Sequence, residues 1–80
     1  MFAIYCYNIC GRKRETYFQR GDNAKKAMDE ETQMLIKAGW KLQRRLDYFN
    51  AAKGFYVYEK ELTKEGMTIR QSIIDGYFAD

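Results

Sequence analysis

KAGWKL, residues 37–42, divides the chain into two kinds of periodicity. Upstream, Ala24, Ala27, Met28, Met34, Leu35 and Ala38 fall within a stripe about 120° wide when residues are spaced 100° apart around a helix. Lys25, Lys26, Asp29, Glu30, Gln33 and Lys37 project away from that stripe. Downstream, Trp40, Leu42, Leu46 and Tyr48 recur at every second place, with Arg44 as the exception, the spacing of a strand with one buried face. Gly39 stands between the patterns, where a glycine closes a helix in the left-handed conformation at no Cβ cost. The stretch therefore predicts a helix over 24–38, a stop at Gly39 and a strand over 40–48 crossing back under the helix, with Trp40 buried at the join. A helix continuing through Gly39 is the competing reading, because Leu42, Leu46 and Phe49 also fit helical spacing. A mid-helix glycine costs that alternative about 1 kcal/mol.

Working outward, Asp22 or Asn23 suits the N-cap, and Gly21-Asp22-Asn23 breaks whatever precedes it. TYFQR (16–20) reads as a short strand that closes a hairpin with FAIYCYNIC (2–10) across the polar loop GRKRE. In the first strand Phe2, Ile4, Cys6 and Cys10 share one face, and Tyr5, Tyr7 and Ile9 the other. On the far side, FNAAKG (49–54) turns the chain into GFYVYEKEL (54–62), an alternating strand antiparallel to 40–48. TKEG then breaks the pattern. TIRQ (68–71) matches a capping box, Thr68 as N-cap and Gln71 reaching back, so IRQSIID is expected to form a short helix ending at Gly76. So short a helix does not hold alone in water, and Ile69, Ile73, Ile74, Tyr77 and Phe78 need a surface to dock on. The expected architecture is α+β: an antiparallel sheet of about four strands (ββαββ), one main helix packed on it, and a short C-terminal helix. It forms a single domain over 1–80, with the sheet and main helix in 1–62 and the short helix in 67–76.

The helix ending in Gly-Trp, the strand after it and the aromatic hairpin partner also carry a resemblance. ETQMLIKAGWKLQRRL followed by GFYVYEKEL resembles a family of small bacterial strand–helix–hairpin proteins of unknown function with a Gly-Trp-x-Leu signature, over about residues 30–62. The resemblance implies the layout and no activity. The first hairpin and the tail depart from the family's compact form.

Eighty residues are near the lower end of what folds without staples. Aromatics make up 16% of the chain, and each buries roughly 150–250 Å², which is how so short a sequence supplies a core. No apolar run is long enough for a transmembrane helix. MFAIYCYNIC lacks the basic start and long apolar stretch of a signal peptide, so a cytoplasmic location is expected. Cys6 and Cys10, four apart on a strand, stand about 13 Å from one another, too far for a disulfide; they read as small sheet hydrophobes. Charge is uneven: residues 1–45 hold ten Lys and Arg against five Asp and Glu, and residues 46–80 hold four against six. An anionic partner would meet the front half.

Catalytic constellations are sparse. With no His, no side chain has an unperturbed pKa near neutrality. Ser72 has no neighbouring base in sequence, and no glycine-rich phosphate loop or metal-ligand spacing occurs. The chain reads as non-enzymatic, with no catalytic residue, metal, cofactor or small-molecule substrate assigned. Glu31 is the odd carboxylate, lying inside the apolar stripe, where it suits a bond to a sheet tyrosine or to Arg44.

Two sets of residues point to macromolecules. RKRETYFQR (12–20) interleaves cations with aromatics: Arg12, Lys13, Arg14 and Arg20 suit phosphates while Tyr17 or Phe18 stacks on a base. Lys25 and Lys26 follow near a helix N-terminus. A solvated hairpin tip is the plainer reading of that stretch. The second set is a wet sheet face bearing Tyr5, Tyr7, Tyr56 and Tyr58, joined by Ile73, Ile74, Tyr77 and Phe78 of the tail, a composition found at interface cores. The expected function is a small protein-binding module, an adaptor or inhibitor of a larger macromolecule of the kind phages and mobile elements encode, and compatible with a homodimer. The alternative is a nucleic-acid-binding module using residues 12–26.

Overall fold

The computed structural model describes residues 2–19 and 23–77, with Phe2, Gln19 and Tyr77 described by their backbone alone. The elements are β1 (Phe2–Ile9), β2 (Arg12–Gln19), α1 (Asn23–Lys37), β3 (Lys41–Asn50), β4 (Phe55–Lys64) and β5 (Met67–Tyr77). All five strands join one antiparallel sheet in the order β2-β1-β5-β4-β3. The α+β class and the main helix follow the sequence; the fifth strand does not.

Gly39 ends α1 as expected. Its φ is 99°, the Trp40 N–H donates to the Leu35 carbonyl at 3.0 Å, and the Gly39 N–H to the Ile36 carbonyl at 3.1 Å. Those two bonds are the Schellman pattern, and the continuous helix is excluded. Trp40 is half-buried rather than sealed at the join. Asn23 is the first helical residue, and Asp22, the other candidate cap, lies outside the described residues.

The expected C-terminal helix over 67–76 is instead β5, placed centrally between β1 and β4. Glu65 and Gly66, with φ of 50° and 78°, form a two-residue hairpin turn between Lys64 and Met67. Positive φ at both central residues matches the twist of the flanking strands. β-Branched Thr68, Ile69, Ile73 and Ile74 suit a strand, and burial of Ile69, Gln71 and Ile73 decides the matter against the local capping-box signal.

Cys10-Gly11 makes the same kind of turn, φ 51° and 85°, so GRKRE is no loop. Arg12, Lys13 and Arg14 belong to β2, an edge strand from 12 to 19 rather than 16 to 20. Charged side chains are what a sheet edge tolerates, because they discourage further strand pairing. The other edge, β3, is likewise basic at Lys41, Arg44 and Arg45.

Helix α1 packs over β1, β2 and β5. Ala3, Tyr5, Ala24, Met28 and Ile73 form the core between the layers, with Tyr7, Phe18 and Tyr58 against it. The face of α1 that is buried runs through Ala24, Met28 and Thr32, rotated from the expected stripe so that Met34 is 70% exposed.

Candidate functional site

The two faces of the sheet follow from strand alternation and register. Under the helix, Arg14, Tyr7, Gln71, Lys60 and Arg45 stand opposite one another across the five strands. Three of them hold α1 in place. Arg14 donates to both oxygens of Glu31, at 2.9 and 3.0 Å, and its guanidinium lies 4.8 Å from the Tyr7 ring centre. Lys60 pairs with Asp29 at 2.9 Å. Gln71, fully buried, accepts from the Thr32 hydroxyl at 2.7 Å and donates to the Tyr5 hydroxyl at 2.7 Å.

Tyr5 then donates to Glu31 at 2.5 Å. Burial first, and the Glu31 carboxylate second, push the Tyr5 hydroxyl well above the ordinary tyrosine range. The adjacent Glu31 raises Arg14 in turn. Glu31 is therefore bonded to a sheet tyrosine, as the sequence suggested, but its cation is Arg14 of β2 and not Arg44. These bonds join helix α1 to strands β1, β2 and β5.

Among the described residues, no helix lies over the opposite face. Tyr17, Ile4, Ile74, Val57 and Tyr48 are successive register partners from β2 through β1, β5 and β4 to β3. They make one unbroken apolar row across the full width of the sheet. Tyr17 is 62% and Tyr48 46% exposed at its ends, whereas Val57 near its middle is 6% exposed. Phe55, half-buried, borders the row on one side. On the other side come Glu15, Cys6, Ser72, Glu59 and Leu46, and then Lys13, Asn8, Arg70, Glu61 and Arg44. Arg70 bonds Glu61 at 3.2 Å. A depression of about 300 Å³ lies in this polar half, lined by Cys6, Asn8, Arg44, Glu59 and Arg70 among others. Its mixed charges favour no one ligand.

The structure redistributes the residues singled out from sequence. Tyr5, Tyr7 and Tyr58 sit on the helix side, so the wet face is not the tyrosine face; Tyr5 is 4% exposed. Tyr56 shares that side, 46% exposed, its ring tilted against Phe49 at 4.8 Å and stacked on Tyr58 at 6.4 Å. Ile73 is core, and Ile74 belongs to the open face as part of a central strand, not a docking tail. Tyr77 ends β5 with its side chain undescribed, and Phe78 and Arg20 lie outside the described residues.

The basic-aromatic stretch does not form one patch. Arg12 and Arg14 alternate with Lys13 and Tyr17, which point to the opposite face. Lys25 lies over the Tyr58 ring at 4.9 Å, and Lys26 is exposed on α1. Cys6 sits on the open face, while Cys10 is an exposed turn residue. Among the described residues no group of three or more Cys, Asp or Glu is gathered to hold a metal, and no helix is long and apolar enough to cross a membrane. Sequence reasoning missed the apolar row because only the register of all five strands assembles it. Comparisons with protein-family models, curated proteins and solved structures found no match.

Proposed function

We propose that the protein is a non-enzymatic protein-binding module and that its working surface is the open sheet face. One observation carries this reading: the row Tyr17–Ile4–Ile74–Val57–Tyr48, apolar at every place across five strands. A solvated antiparallel face ordinarily alternates toward polar residues. Here the row stays apolar out to the two edges of the sheet, where the exposed rings of Tyr17 and Tyr48 end it and charges stand at the flank. That is the anatomy of an interface, an apolar centre with a polar rim. An adaptor or small inhibitor of a larger protein suits a chain whose Thr32 and Gln71 are occupied in holding its own helix.

The test uses the full chain as bait in its native host. Tyr17→Arg with Tyr48→Arg is expected to lower recovery of the specific partner at least tenfold. Met34→Arg with Phe49→Arg, which alters the helix side, leaves recovery unchanged. Equal recovery by both double variants sinks the reading. Nucleic-acid binding by residues 12–26 is the other outcome to check: affinity that falls steeply with salt and weakens on Arg12→Glu would support it in place of the first.

A further inference from the structure

The order β2-β1-β5-β4-β3 leaves β3 at an edge, and among the described residues no strand pairs with its outer side. Such an edge is a row of backbone N–H and C=O groups open to pairing with another chain. Helix α1 packs over β1, β2 and β5, so it does not stand above β3. We infer that β3 pairs antiparallel with β3 of a second copy, centred on Leu46, joining two five-stranded sheets edge to edge. The inference goes beyond the reading of the open face and does not rest on it.

Register carries it. In an antiparallel pair related by a two-fold axis, residues directly opposite share a face of the sheet, so the axis passes through a single residue of β3. With the axis at Leu46, Arg45 of each copy stands opposite Asp47 of the other, and Arg44 opposite Tyr48. The bulge between Leu42 and Arg44 drops Gln43 from the count and brings Leu42 opposite Phe49. Both of these lie on the helix side, through their partners Leu62 and Tyr56. The pairing thus sets up two ion pairs, two arginines against tyrosine rings and two apolar pairs, arranged about Leu46 against its counterpart. Leu42 and Phe49, 43% and 51% exposed in the single chain, gain cover there. Among the described residues neither Arg45 nor Asp47 has an ion-pair partner in its own chain.

Other registers are closed by charge. Centred on Arg44 or Arg45, β3 would set that arginine against itself, and centred on Asp47 an aspartate against an aspartate. Like charges directly opposite are destabilising. The cations of this edge therefore discourage pairing in general, and Asp47 admits one register. β2 offers no equivalent: centred on any residue from Arg12 to Glu15 it opposes like charges, and centred on Thr16 or Tyr17 it forms no ion pair.

Light scattering during chromatography reads the mass. An edge of ten residues makes a small interface, for which micromolar affinity is expected, so loading from about 1 to 100 µM spans the transition. The wild-type chain is expected at twice its 9.5 kDa mass at the top of that range, falling to 9.5 kDa on dilution. Asp47→Arg sets arginine against Arg45 in both halves and is expected to weaken the dimer at least about 100-fold. Arg45→Asp does the same with aspartates. Each variant alone is a monomer, and mixing the two in equal amounts restores a dimer, because every arginine then meets an aspartate. Both side chains are exposed on an edge strand, and a wild-type circular dichroism spectrum shows that each variant is folded.

A wild-type monomer at the highest loading overturns the inference. So does a mixture of the two variants that stays monomeric, or a dimer that Asp47→Arg leaves intact. Asp47 lies on the helix side, opposite Tyr58, so Asp47→Arg leaves recovery of a partner through the open face unchanged. Failure of either reading therefore leaves the other standing.

Discussion

Each face of the sheet departs from the usual distribution of polarity along one row of register partners. The covered face carries Arg14, Gln71 and Lys60 in a row at its centre, each bonded to α1, while the uncovered face carries a row with no polar side chain but the hydroxyls of two tyrosines. Apolar packing is non-directional, so Ala24 and Met28 alone would let a short helix slide or rotate over the sheet. The polar contacts fix it: Glu31 ties α1 to β2, Thr32 to β5 and Asp29 to β4. Buried polar groups hold their place only when fully satisfied, and Gln71 meets that condition through Thr32 and Tyr5. The open row has the opposite character. There the Tyr17 hydroxyl donates to Glu15 of its own strand at 3.2 Å, and Ile4, Ile74 and Val57 between the two rings carry no side-chain hydrogen-bonding group.

The comparison breaks most completely if β5 is removed, because that strand furnishes both faces. Ile69, Gln71 and Ile73 go beneath the helix and Ile74 goes into the row. Deleting residues 67–80 leaves β1 and β4 without their shared neighbour. The expected outcome is loss of the whole folding free energy, on the order of 5–15 kcal/mol, seen as absent near-ultraviolet circular dichroism and no cooperative urea transition. A truncated chain that still unfolds cooperatively would mean that the final strand is an appendage and that neither face is built as described.

Gln71 separates the faces more finely. Gln71→Ala opens a cavity and removes a partner from Thr32 and Tyr5, and is expected to cost about 2–4 kcal/mol. Gln71→Met preserves volume, and Thr32 can still donate to the Met28 carbonyl at 2.8 Å while Tyr5 donates to Glu31, so about 1–2 kcal/mol is expected. On the open face, Tyr17→Arg gives up the hydroxyl's bond to Glu15 at 3.2 Å on an exposed edge strand, and about 0.5–1 kcal/mol is expected. Urea melts of the three variants decide the ranking; equal losses would erase the distinction between a fixed and a free face.

Much of this was legible from sequence where patterns are long and local. The helical spacing marked α1 though not which of its faces is buried, Gly39 marks the stop, and alternation marked the β3–β4 hairpin though not the bulge between Leu42 and Arg44 that turns Leu46 and Tyr48 away from the helix. The tail was not legible because Ile69 and Ile73, four apart, satisfy helical and strand spacing alike, and Thr68 with Gln71 spells a cap. What overrides them is pairing with β1, about sixty residues upstream, which no local signal contains. Alternation in β1 likewise put Tyr5 and Tyr7 together but could not say which side the helix takes, since both sides are apolar. Glu31 stood out correctly; its cation depended on β2 extending back to Arg12, which the run of charge concealed. The open row, assembled from five strands, had no footprint in any one of them.

Alkaline pH probes the covered face without mutation. The folded protein holds the Tyr5 proton to a pH well beyond that at which the unfolded chain releases it, near 10. The stabilisation is therefore intact below about pH 10 and falls as pH rises further, by up to about 1.4 kcal/mol per unit for this group. Tyr7, raised by its own burial, adds to the slope in the same direction. Urea titrations between about pH 8 and 11 should show the decline, and Tyr5→Phe should make it shallower while lowering stability at neutral pH through the lost Glu31 and Gln71 bonds. An unchanged slope in that variant would mean that the hydroxyl is not held between helix and sheet.

The smallest effect tests whether the end of the helix matters to the side it covers. A Cβ at Gly39 would meet only the Lys64 side chain, at 3.5 Å and in ordinary contact, so the penalty of Gly39→Ala is the φ of 99° and nothing steric. About 1 kcal/mol is expected, with Gly39→Asn costing less because Asn enters the left-handed region more readily. Lys64 sharpens the point: its ammonium donates to the Ala38 carbonyl at 2.6 Å, so β4 grips the last turn of α1 much as Lys60 grips Asp29 nearer the other end. If Gly39→Ala and Gly39→Asn melt alike, the left-handed turn is not what sets their stability. If they separate as expected, the left-handed stop at Gly39 is what fastens the last turn of α1 over the covered face.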